Sequence, residues 1–346
     1  MRVFIAPLNW GLGHATRCVP LIERYRQEGH EVILGGDGES LIWLKRRFPT
    51  LRIEELAQLR VRYSATQSQV GAMLSMLPDF IRFIREDHRR LQALQARYHF
   101  DLIVSDNRFG LYLPKTENRE PRTENPEPRT VYLTHQLRIR LPHGWRWAEP
   151  LAERMHAYFY RQYDEVWVPD YEDYAGSLAG WLSHPKQLPA HTRYIGPLSR
   201  FNTQNINYQL STINYQLSTI NYQLSTINYP IVALLSGPEP QRSLLEESLI
   251  RRYEKQAERV LIVRGLMQGP LTRTTHGNIT LLPRMDDDKL IAALLNCRTI
   301  IARSGYTTIM DLHALGLLHK AELIPTPGQS EQEYLKKWLT ERKKQK

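Results

Sequence analysis

The sequence predicts an α/β protein of two domains, each built on a mainly parallel β-sheet with helices on both faces. Three observations support this prediction. The chain has 346 residues, which is more than one ordinary domain core needs. Short apolar runs rich in β-branched residues alternate with helical patterns in both halves of the chain. An uncharged repeated segment separates the two halves.

Ten short apolar runs are predicted as strands. In the first half they are 3–7, 31–35, 101–106, 131–135 and 165–170, and in the second half they are 231–237, 259–265, 279–283, 299–303 and 321–325. Helical patterns lie between most of these runs. A strand, a helix and a second strand in succession form a unit in which the two strands are parallel. We therefore expect two Rossmann-like domains.

A repeat marks the boundary between the domains. The heptapeptide INYQLST occurs three times without change within residues 206–226. Seven residues are too few to form a packed structural repeat. This region is therefore predicted as a linker at 199–229, between an N-terminal domain at 1–198 and a C-terminal domain at 230–346.

A second duplication, TENREPR followed by TENPEPR, begins at residue 116. It belongs to an insertion at 114–130 that is rich in proline and charge. Such a composition buries little apolar surface, which predicts a disordered or extended loop. Because loop-closure entropy grows only logarithmically with length, both duplications are compatible with a folded protein.

Composition and charge exclude several classes of protein. Charged residues make up 24% of the chain, and no apolar run has the roughly 18 residues that a membrane-spanning helix needs. The first residues enter a strand pattern without the features of a secretory signal, which predicts a cytoplasmic protein. The net charge is +10, but the basic residues accompany no nucleic-acid-binding motif, so nucleic acid is not an expected partner. Cys18 and Cys297 are the only cysteines, and the sequence predicts neither a disulfide nor a metal site.

The first predicted strand is followed by a glycine-rich turn, NWGLGHATR, at residues 9–17. Gly11 and Gly13 allow the close approach of a ligand, and the first N–H groups of the next helix attract anions. Together with Arg17 they are candidates for binding a phosphate or the second substrate of a transfer reaction. His14 is a candidate general base, because its ring titrates near physiological pH. The alternatives are a structural turn and, for His14, a capping residue of the helix.

Two further titratable residues are expected at the same edge of the sheet. Asp106 ends the predicted strand 101–106, and His135 ends the predicted strand 131–135. Because the carboxyl ends of parallel strands meet at one edge, His14, Asp106 and His135 are expected to lie together. One of the three is predicted to be the catalytic base.

The first strand of the second half ends in a similar turn, LLSGPEPQR, at residues 234–242. Ser236 and Gly237 supply N–H groups and a hydroxyl, and Arg242 adds positive charge. This combination suits a phosphate. A plain turn between a strand and a helix is the alternative.

The most informative segment runs from residue 281 to residue 334. Within it, TIIARSGYTTIMDL predicts a buried strand that ends at Arg303, a turn at Ser304 and Gly305, and a helix that starts near Thr307 and Thr308. An arginine, hydroxyl groups and N–H groups at a helix start suit a diphosphate.

Other side chains of this segment suit a sugar. Asp311 lies one to two turns into the predicted helix, where a carboxylate can accept both hydroxyl groups of a ribose. The later stretch IPTPGQSEQEYL adds Gln329, Gln332 and Glu333, whose amides and carboxylate suit the hydroxyl groups of a hexose. The alternative for this stretch is a solvated helix start.

At these residues the sequence resembles the GT-B glycosyltransferases of the MurG-like group, of the glycosyltransferase family 28 type. The resemblance rests on the G-x-G-H turn, on the SG-P turn of the second half, and on RSGYTTIMDL followed by IPTPGQSEQEYL. It covers nearly the whole chain outside the two duplications. It implies two Rossmann-like domains facing a cleft, with a UDP-sugar donor bound to the C-terminal domain and the acceptor bound mainly to the N-terminal domain.

The resemblance also implies roles for individual residues that bind the donor diphosphate and ribose. Ser304, Gly305 and Thr308 match the helix start that binds the diphosphate. Asp311 takes the place of a ribose-binding glutamate, and its side chain is one methylene shorter.

For the sugar and the base, the resemblance points to two short stretches. Gln332 and Glu333 match a pair of amides that contact the donor sugar, with a glutamate in place of the second amide. Arg284 and Met285 belong to the backbone edge that reads the nucleobase.

The sequence therefore predicts a metal-independent glycosyltransferase. It would move a sugar, such as an N-acetylhexosamine, from a nucleotide diphosphate donor, expected to be UDP-linked, to an unidentified acceptor. Helix N-termini and arginines would stabilise the departing diphosphate in place of a divalent cation. The nucleotide sugar is a co-substrate, so no other cofactor is expected. A sugar-nucleotide epimerase of the same fold and an inactive nucleotide-sugar-binding protein are the alternatives.

One helical pattern suggests contact with a membrane. Its apolar stripe consists of Leu74, Leu77, Phe80, Ile81, Ile84 and His88, and nearby are Arg82, Arg85, Arg89 and Arg90. A stripe flanked by arginines can lie in the headgroup region of a bilayer. This would place the protein peripherally at the inner membrane face and would suit a lipid-linked acceptor, which proteins of this resemblance often use. The alternative is a helix that packs its stripe on the domain core.

Overall fold

Two compact units make up the molecule. The computed structural model describes residues 1–59, 77–113, 128–201, 229–237, 239–267 and 269–343. The first unit comprises Met1–Leu198 and Glu341–Lys346, and the second comprises Ser199–Thr340. The three INYQLST copies, most of the predicted linker and residues 114–127 of the predicted insertion lie outside the described residues.

The first unit contains a seven-stranded sheet in which all neighbouring strands are parallel. Its strands are β1 (Arg2–Pro7), β2 (Glu31–Gly36), β3 (Arg52–Glu55), β4 (Leu102–Asp106), β5 (Arg129–Leu133), β6 (Glu165–Val168) and β7 (Thr192–Tyr194). Their spatial order is β3-β2-β1-β4-β5-β6-β7. The chain order therefore reverses direction between β1 and β4. Sheets of this kind bind ligands at such a switch point, outside the carboxyl ends of the strands.

The central strands form because their side chains are apolar on both faces. β1 is buried from Val3 onward, and β4 is buried along its whole length. This is expected for parallel strands that are covered by helices on both sides. β4 ends in the buried polar residues Ser105 and Asp106, so the strand carries a carboxylate into the interior at its carboxyl end.

Four α-helices belong to the described part of the first unit. They are α1 (Leu12–Gln27), α2 (Gly38–Arg47), α3 (Leu77–Tyr98) and α4 (Glu149–Tyr160). A 3-10 helix at His143–Ala148 leads directly into α4, and a second lies at Gly180–Leu182. Helix α1 starts immediately after Gly11, whose φ of 79° is readily adopted only by glycine. The turn between β1 and α1 therefore depends on this glycine.

Helix α3 uses part of its predicted stripe for core packing. Phe80 and Ile84 pack against a buried apolar cluster, whereas Leu77 and Ile81 are exposed. Leu74 lies outside the described residues. The core-packing alternative thus accounts for part of the stripe, and two apolar side chains remain at the surface.

The second unit contains a six-stranded sheet in the order β10-β11-β9-β8-β12-β13. Its strands are β8 (Ile231–Leu234), β9 (Val260–Val263), β10 (Thr274–His276), β11 (Ile279–Leu282), β12 (Thr299–Arg303) and β13 (Ala321–Ile324). Only the β10–β11 pair among these strands is antiparallel. The described helices are α5 (Gln241–Tyr253), α6 (Asp287–Asn296), α7 (Tyr306–Ala314) and α8 (Ser330–Lys343), with a 3-10 turn at Leu318–Lys320. The switch point of this sheet lies between β8 and β12.

The structure confirms the ten strands predicted from the sequence, with small differences at their ends. Three further strands, β3, β7 and β10, were not predicted. All three lie at sheet edges. β3 mixes charged and apolar residues, and β10 is exposed throughout. Edge strands such as these carry no continuous apolar run, so the pattern that revealed the central strands could not reveal them.

The sequence predicts a linker at 199–229 and a C-terminal domain at 230–346, and the second compact unit comprises Ser199–Thr340. The guanidinium of Arg342, near the end of α8, donates to the backbone carbonyls of Ala175 and Ser177 in the first unit.

Candidate functional site

Four titratable or charged side chains converge at the switch point of the first sheet. His14 and Arg17 lie in the first turns of α1, directly after β1. Asp106 is the last residue of β4, and His135 follows the end of β5. The parallel topology brings these chain positions to one edge of the sheet, so the structure does place the three predicted catalytic candidates together.

Arg17 is the centre of this cluster. Its Nε donates to Asp106 Oδ2 at 2.7 Å, and its Nη2 donates to Asp106 Oδ1. Nη2 also lies 2.9 Å from His14 Nδ1, and Nη1 lies 3.2 Å from His135 Nδ1. The distance from His14 Nδ1 to Asp106 Oδ1 is 3.0 Å. A two-point contact between a guanidinium and a carboxylate fixes the position of both groups.

The cluster keeps Asp106 charged. Asp106 is fully buried, and burial by itself raises the pKa of a carboxyl group. Arg17 and His14 outweigh this effect and hold the pKa of Asp106 well below its usual range. The carboxylate is therefore an anion at neutral pH. The guanidinium of Arg17 is 2% exposed and already bonded to protein groups. We therefore interpret Arg17 as the internal partner of Asp106 and the two histidines, whereas the sequence suggested that it binds a phosphate or an acceptor.

His14 is the most accessible member of the cluster, with 17% of its side chain exposed. Burial lowers its pKa, Asp106 opposes this change, and Arg17 and His135 reinforce it, so the pKa of His14 lies below its ordinary value. The ring is therefore neutral at neutral pH. The hydrogen bonds of the ring to other described residues are made by Nδ1.

The proton of His14 has two positions that fit these contacts. A proton on Nδ1 is donated to Asp106, and a proton on Nε2 leaves Nδ1 to accept from Arg17. In the first arrangement the lone pair is on the outward Nε2. A neutral imidazole in this state can take a proton from a ligand, and the buried carboxylate behind it stabilises the imidazolium that forms.

A second network of buried charged side chains is hydrogen-bonded to the glycine turn. Arg108 is fully buried and donates to Asp87 with Nε at 2.9 Å and to Asp37 with Nη1 at 2.7 Å. Asn9, the first residue of the turn, donates to Asp37 Oδ1 at 3.0 Å and accepts from the Ser40 hydroxyl at 3.2 Å. The turn that carries His14 is thus connected to α2 and α3 through charged groups.

Sequence reasoning missed this network. The segment DNRFG drew attention to Asp106, but Arg108, two residues later, was not singled out. Its carboxylate partners are Asp37 and Asp87, 71 and 21 positions away in the sequence. A buried arginine with such distant partners leaves no periodic signal. The one available hint was an arginine directly after a strand end that already carried an aspartate.

In the second unit, Arg303, at the end of β12, is hydrogen-bonded to the segment after β13 and to the start of α5. It is 4% exposed, and it donates to the Pro325 carbonyl at 2.9 Å and to the Gln241 carbonyl at 2.7 Å. Burial lowers its pKa. These bonds join the ends of β12 and β13 to the start of α5. Arg303 therefore fixes the loops, and a direct contact with a donor remains a prediction.

The start of α7 presents a helix N-terminus at this edge. The helix begins at Tyr306, after Gly305, and has no side-chain cap. Because the first N–H groups of a helix have no partner carbonyl within it, the turn that includes Thr307 and Thr308 is suited to an anion. Ser304 is fully buried and donates its hydroxyl to the Gln332 carbonyl at 2.8 Å, so its side chain serves the protein itself.

The side-chain amides of Gln329 and Gln332, which were predicted to bind a sugar, form hydrogen bonds within their own turn. Gln332 Oε1 accepts from the Thr326 N–H at 2.8 Å, and Gln332 Nε2 donates to Gln329 Oε1 at 2.5 Å. Glu333 is exposed in the first turn of α8. Of the three predicted sugar contacts, Glu333 is thus the most accessible to a ligand.

The predicted phosphate turn after β8 is partly occupied. Arg242 pairs with Glu239, and its Nη1 lies 3.4 Å from the Arg264 carbonyl. Ser236 and Gly237 are exposed. A ligand at this turn would therefore contact the backbone and the Ser236 hydroxyl first. Arg242 is already paired with the carboxylate of Glu239.

The predicted nucleobase edge is held by a side chain. Arg284 Nη1 lies 3.2 to 3.4 Å from the carbonyls of Leu266, Met267 and Gly269, in the loop after β9. Met285 is partly buried against the core of the second unit. The backbone at this edge is therefore well supported.

Asp311, the predicted ribose ligand, lies among protein partners. Its Oδ1 accepts from the Ser199 hydroxyl at 2.7 Å, and its Oδ2 lies 3.5 Å from Arg200 Nε. Arg200 also faces Asp287 at 3.5 Å. Burial raises the pKa of Asp311 to about 6, with Arg200 and Ser199 opposing the change. A ribose at this carboxylate would have to share it with Ser199 or displace Ser199.

No cluster of three or more histidine, cysteine, aspartate or glutamate side chains with the arrangement of a metal site occurs among the residues that the structure describes. No helix within the same ranges has the length and apolar character needed to cross a bilayer.

Several solved structures that align with this chain are glycosyltransferases. The calicheamicin glycosyltransferase CalG4 aligns with a TM-score of 0.54 and 11% identity, over 96% of this chain and 82% of its own. SnogD from Streptomyces nogalater aligns with a TM-score of 0.50 and 16% identity, over 97% and 84%. MurG from Acinetobacter baumannii aligns with a TM-score of 0.48 and 13% identity, over 98% and 83%. No protein-family model and no curated protein matches the sequence.

CalG4 and SnogD are similar to this chain over nearly its whole length. With the two parallel sheets described above, this similarity confirms the GT-B fold that the sequence resemblance implied. At identities this low, the similarity concerns the fold.

Proposed function

We propose that the protein is a glycosyltransferase that moves a sugar from a nucleoside diphosphate donor to an acceptor, with His14 as the general base. One observation carries the proposal. In a chain with the GT-B fold, a neutral and accessible imidazole is backed by a buried, ionised carboxylate at the switch point of the first sheet.

In the proposed reaction, a hydroxyl group of the acceptor attacks the anomeric carbon of the donor sugar. A bond forms between the acceptor oxygen and this carbon, and the bond from the carbon to the diphosphate oxygen breaks. The acceptor proton passes to His14 Nε2, and the electron pair leaves with the nucleoside diphosphate. Asp106 accepts the Nδ1–H of His14 and stabilises the imidazolium.

The second unit is proposed to bind the donor. N–H groups at the start of α7 would stabilise the departing diphosphate without a divalent cation. Glu333 would contact the sugar, and the backbone at Arg284 and Met285 would contact the base. The sequence resemblance supports UDP as the nucleotide and an N-acetylhexosamine as the sugar.

We further propose that the acceptor is carried on a lipid and that the protein contacts the inner face of a membrane peripherally. The exposed side chains of Leu77 and Ile81 on α3 support this part of the proposal.

Donor binding is tested by thermal shift with the full chain. A ligand that binds only the folded protein raises its melting temperature by mass action. We expect UDP and UDP-sugars to raise the melting temperature, and we expect matched nucleotides with other bases to leave it unchanged. If no nucleotide or nucleotide sugar has an effect, the donor half of the proposal is wrong.

Product analysis with the best donor distinguishes the transferase from its alternatives. Release of the nucleoside diphosphate that depends on an added acceptor supports transfer. Conversion of the donor sugar without any acceptor would identify an epimerase. Binding without any turnover, across lipid-linked and soluble acceptors, would identify a nucleotide-sugar-binding protein.

A further inference from the structure

Helix α4 carries a row of apolar side chains on its outer face. The exposed fractions are 75% for Trp147, 62% for Leu151, 50% for Met155 and 64% for Tyr158. Leu151, Met155 and Tyr158 are four and three residues apart on α4, so they share one face, and Trp147 lies just before them in the 3-10 helix at His143–Ala148. Single exposed apolar residues are ordinary at protein surfaces, but a continuous row indicates a binding surface.

The row continues into the 3-10 helix before α4. Trp145 is 37% exposed, and its ring stacks with that of Trp147 at a centroid distance of 6.0 Å. We call these five residues, Trp145, Trp147, Leu151, Met155 and Tyr158, the tryptophan face. Its composition combines large apolar side chains with the ring N–H and O–H groups of tryptophan and tyrosine.

The opposite side of α4 holds the helix to the core of the first unit. His156 and Ala157 are buried, and the Tyr132 hydroxyl lies 3.2 Å from His156 Nε2. The tryptophan face therefore points away from the core because the other face is already used. Its exposure is a consequence of the fold, since turning the helix would expose the packed side instead.

Ion pairs fix α4 from the segment that follows His135. Arg138 pairs with Glu153 at 3.1 Å, and Arg140 pairs with Glu149 at 3.3 Å. Both arginines also stack on the ring of Trp181, at 4.0 and 4.2 Å. These contacts neutralise the two glutamates of α4 and hold the helix in a fixed orientation.

The remaining charges beside the tryptophan face are basic. Arg146 and Arg154 are exposed, and no ion pair joins either of them to an acid in the described part of the chain. With Glu149 and Glu153 paired, the surroundings of the face carry a net positive charge. This charge is complementary to an anionic surface.

We propose that the tryptophan face is a docking surface for an anionic lipid bilayer. Tryptophan and tyrosine favour the interface between headgroups and acyl chains, where the ring is apolar and its polar edge stays wet. A row on the outside of a helix has no walls to enclose a small molecule, but it can lie flat in a membrane surface. Arg146 and Arg154 contact the headgroups. This inference adds a second surface of the first unit to the membrane contact proposed at Leu77 and Ile81, and it rests on that part of the proposed function only.

Sedimentation with vesicles tests the docking surface. The full chain is mixed with vesicles of phosphatidylcholine alone, or of phosphatidylcholine and phosphatidylglycerol in equal amounts, at low and at high salt. We expect sedimentation with the anionic vesicles at low salt, and we expect about tenfold less binding after the double substitution Trp145→Ser and Trp147→Ser. High salt or neutral vesicles weaken binding because the arginines then contribute less.

Matched leucines provide the control. Leu151→Ser removes a leucine of the tryptophan face, and Leu188→Ser removes a leucine of the same unit that is 51% exposed elsewhere. We expect only Leu151→Ser to weaken vesicle binding severalfold, with both variants keeping the wild-type melting temperature. Equal effects of the two substitutions, or no sedimentation of the wild type with any vesicle, would overturn the proposal.

A second copy of the chain is the competing occupant. If size-exclusion chromatography shows a dimer that Trp147→Ser dissociates, and the wild type ignores vesicles, the face is a self-association surface and the membrane proposal is wrong. The vesicle experiment contains no nucleotide sugar, so its outcome is independent of donor binding. A protein that binds vesicles and no donor would retain the docking surface while losing the glycosyltransferase proposal.

Discussion

Asp106 of the first unit and Asp311 of the second unit are both buried, and their pKa values are shifted in opposite directions. Asp106 contacts Arg17 through both oxygens, and its pKa lies well below the usual range. Asp311 is also buried, but its nearest guanidinium group, that of Arg200, is 3.5 Å away, and burial raises its pKa to about 6. Burial therefore does not decide the charge of a carboxyl group by itself. The direct two-point contact with a cation decides it.

This difference has consequences for function. Asp106 is ionised throughout the neutral range, so it can always accept the Nδ1–H of His14 and support an imidazolium. Asp311 changes its protonation close to neutrality. Its capacity to accept hydrogen bonds from a ribose, if it binds one, would therefore decrease as the pH falls through about 6.

The largest expected effect comes from breaking the contact at Asp106. Asp106→Asn leaves Arg17 buried without its carboxylate, and removing one partner of a buried ion pair typically destabilises a protein by about 3 to 5 kcal/mol. We expect a loss of this size in the free energy of unfolding of the first unit, measured with urea at neutral pH.

A double variant shows whether the loss comes from the unpaired cation. In Arg17→Met with Asp106→Leu, both charges are replaced by apolar groups, and such replacements are often close to neutral. We expect the double variant to be more stable than Asp106→Asn. If the double variant and Asp106→Asn are equally stable, the stability lost in Asp106→Asn does not come from leaving Arg17 unpaired.

The next expected effect is the pH dependence of stability caused by Asp311, which has the opposite sign to that caused by Asp106. A carboxyl group whose pKa rises on folding binds its proton more tightly in the folded state, so stability falls as the pH rises from about 4 to about 6. Asp106, with a lowered pKa, contributes stability at neutral pH that is lost as the pH falls towards its folded pKa. Asp311→Asn should therefore gain stability relative to the wild type between about pH 4.5 and about pH 7.5, by about 2 kcal/mol.

Urea unfolding of the wild type and of Asp311→Asn at the two pH values measures this gain. A constant difference between the two proteins at both pH values would show that Asp311 does not titrate in this range. The comparison with Asp106 would then fail.

The smallest effect concerns the hydroxyl group that opposes the raised pKa of Asp311. Ser199→Ala removes one hydrogen bond to Asp311, worth about 1 kcal/mol of stability, and it should raise the pKa of the carboxyl group further. Carboxyl carbon NMR of Asp311 measures the pKa, and Ser248→Ala, at an exposed position on α5, is the control. If the pKa of Asp311 is unchanged in Ser199→Ala, the Ser199 hydroxyl does not lower that pKa.

The sequence was sufficient to predict the fold and part of the first cluster. Apolar runs mark the central strands because these are buried on both faces, and parallel topology then brings His14, Asp106 and His135 to one edge. The edge strands β3 and β10 had no such pattern. The MurG-like resemblance added the assignment to the GT-B fold, which the solved structures confirm.

Side-chain partners could not be predicted in this way. Arg17 has His14 on the same helix face, but its contact with Asp106 joins residues 89 positions apart. Ser199 and Asp311 are 112 positions apart. Such contacts depend on how elements pack in three dimensions, and a single sequence contains no periodic trace of them. The predicted donor ligands Gln332 and Arg242 turned out to have partners within the protein for the same reason.

The central claim is that His14 acts as the base of glycosyl transfer, and turnover of a His14 variant tests it most directly. The measurement is acceptor-dependent release of nucleoside diphosphate from the best donor, with donor affinity measured in parallel by calorimetry and with His276→Ala, at an exposed histidine of the second unit, as the control. We expect His14→Ala to bind the donor like the wild type and to release nucleoside diphosphate about a hundredfold more slowly, because a general base is lost. Wild-type turnover in His14→Ala would contradict it.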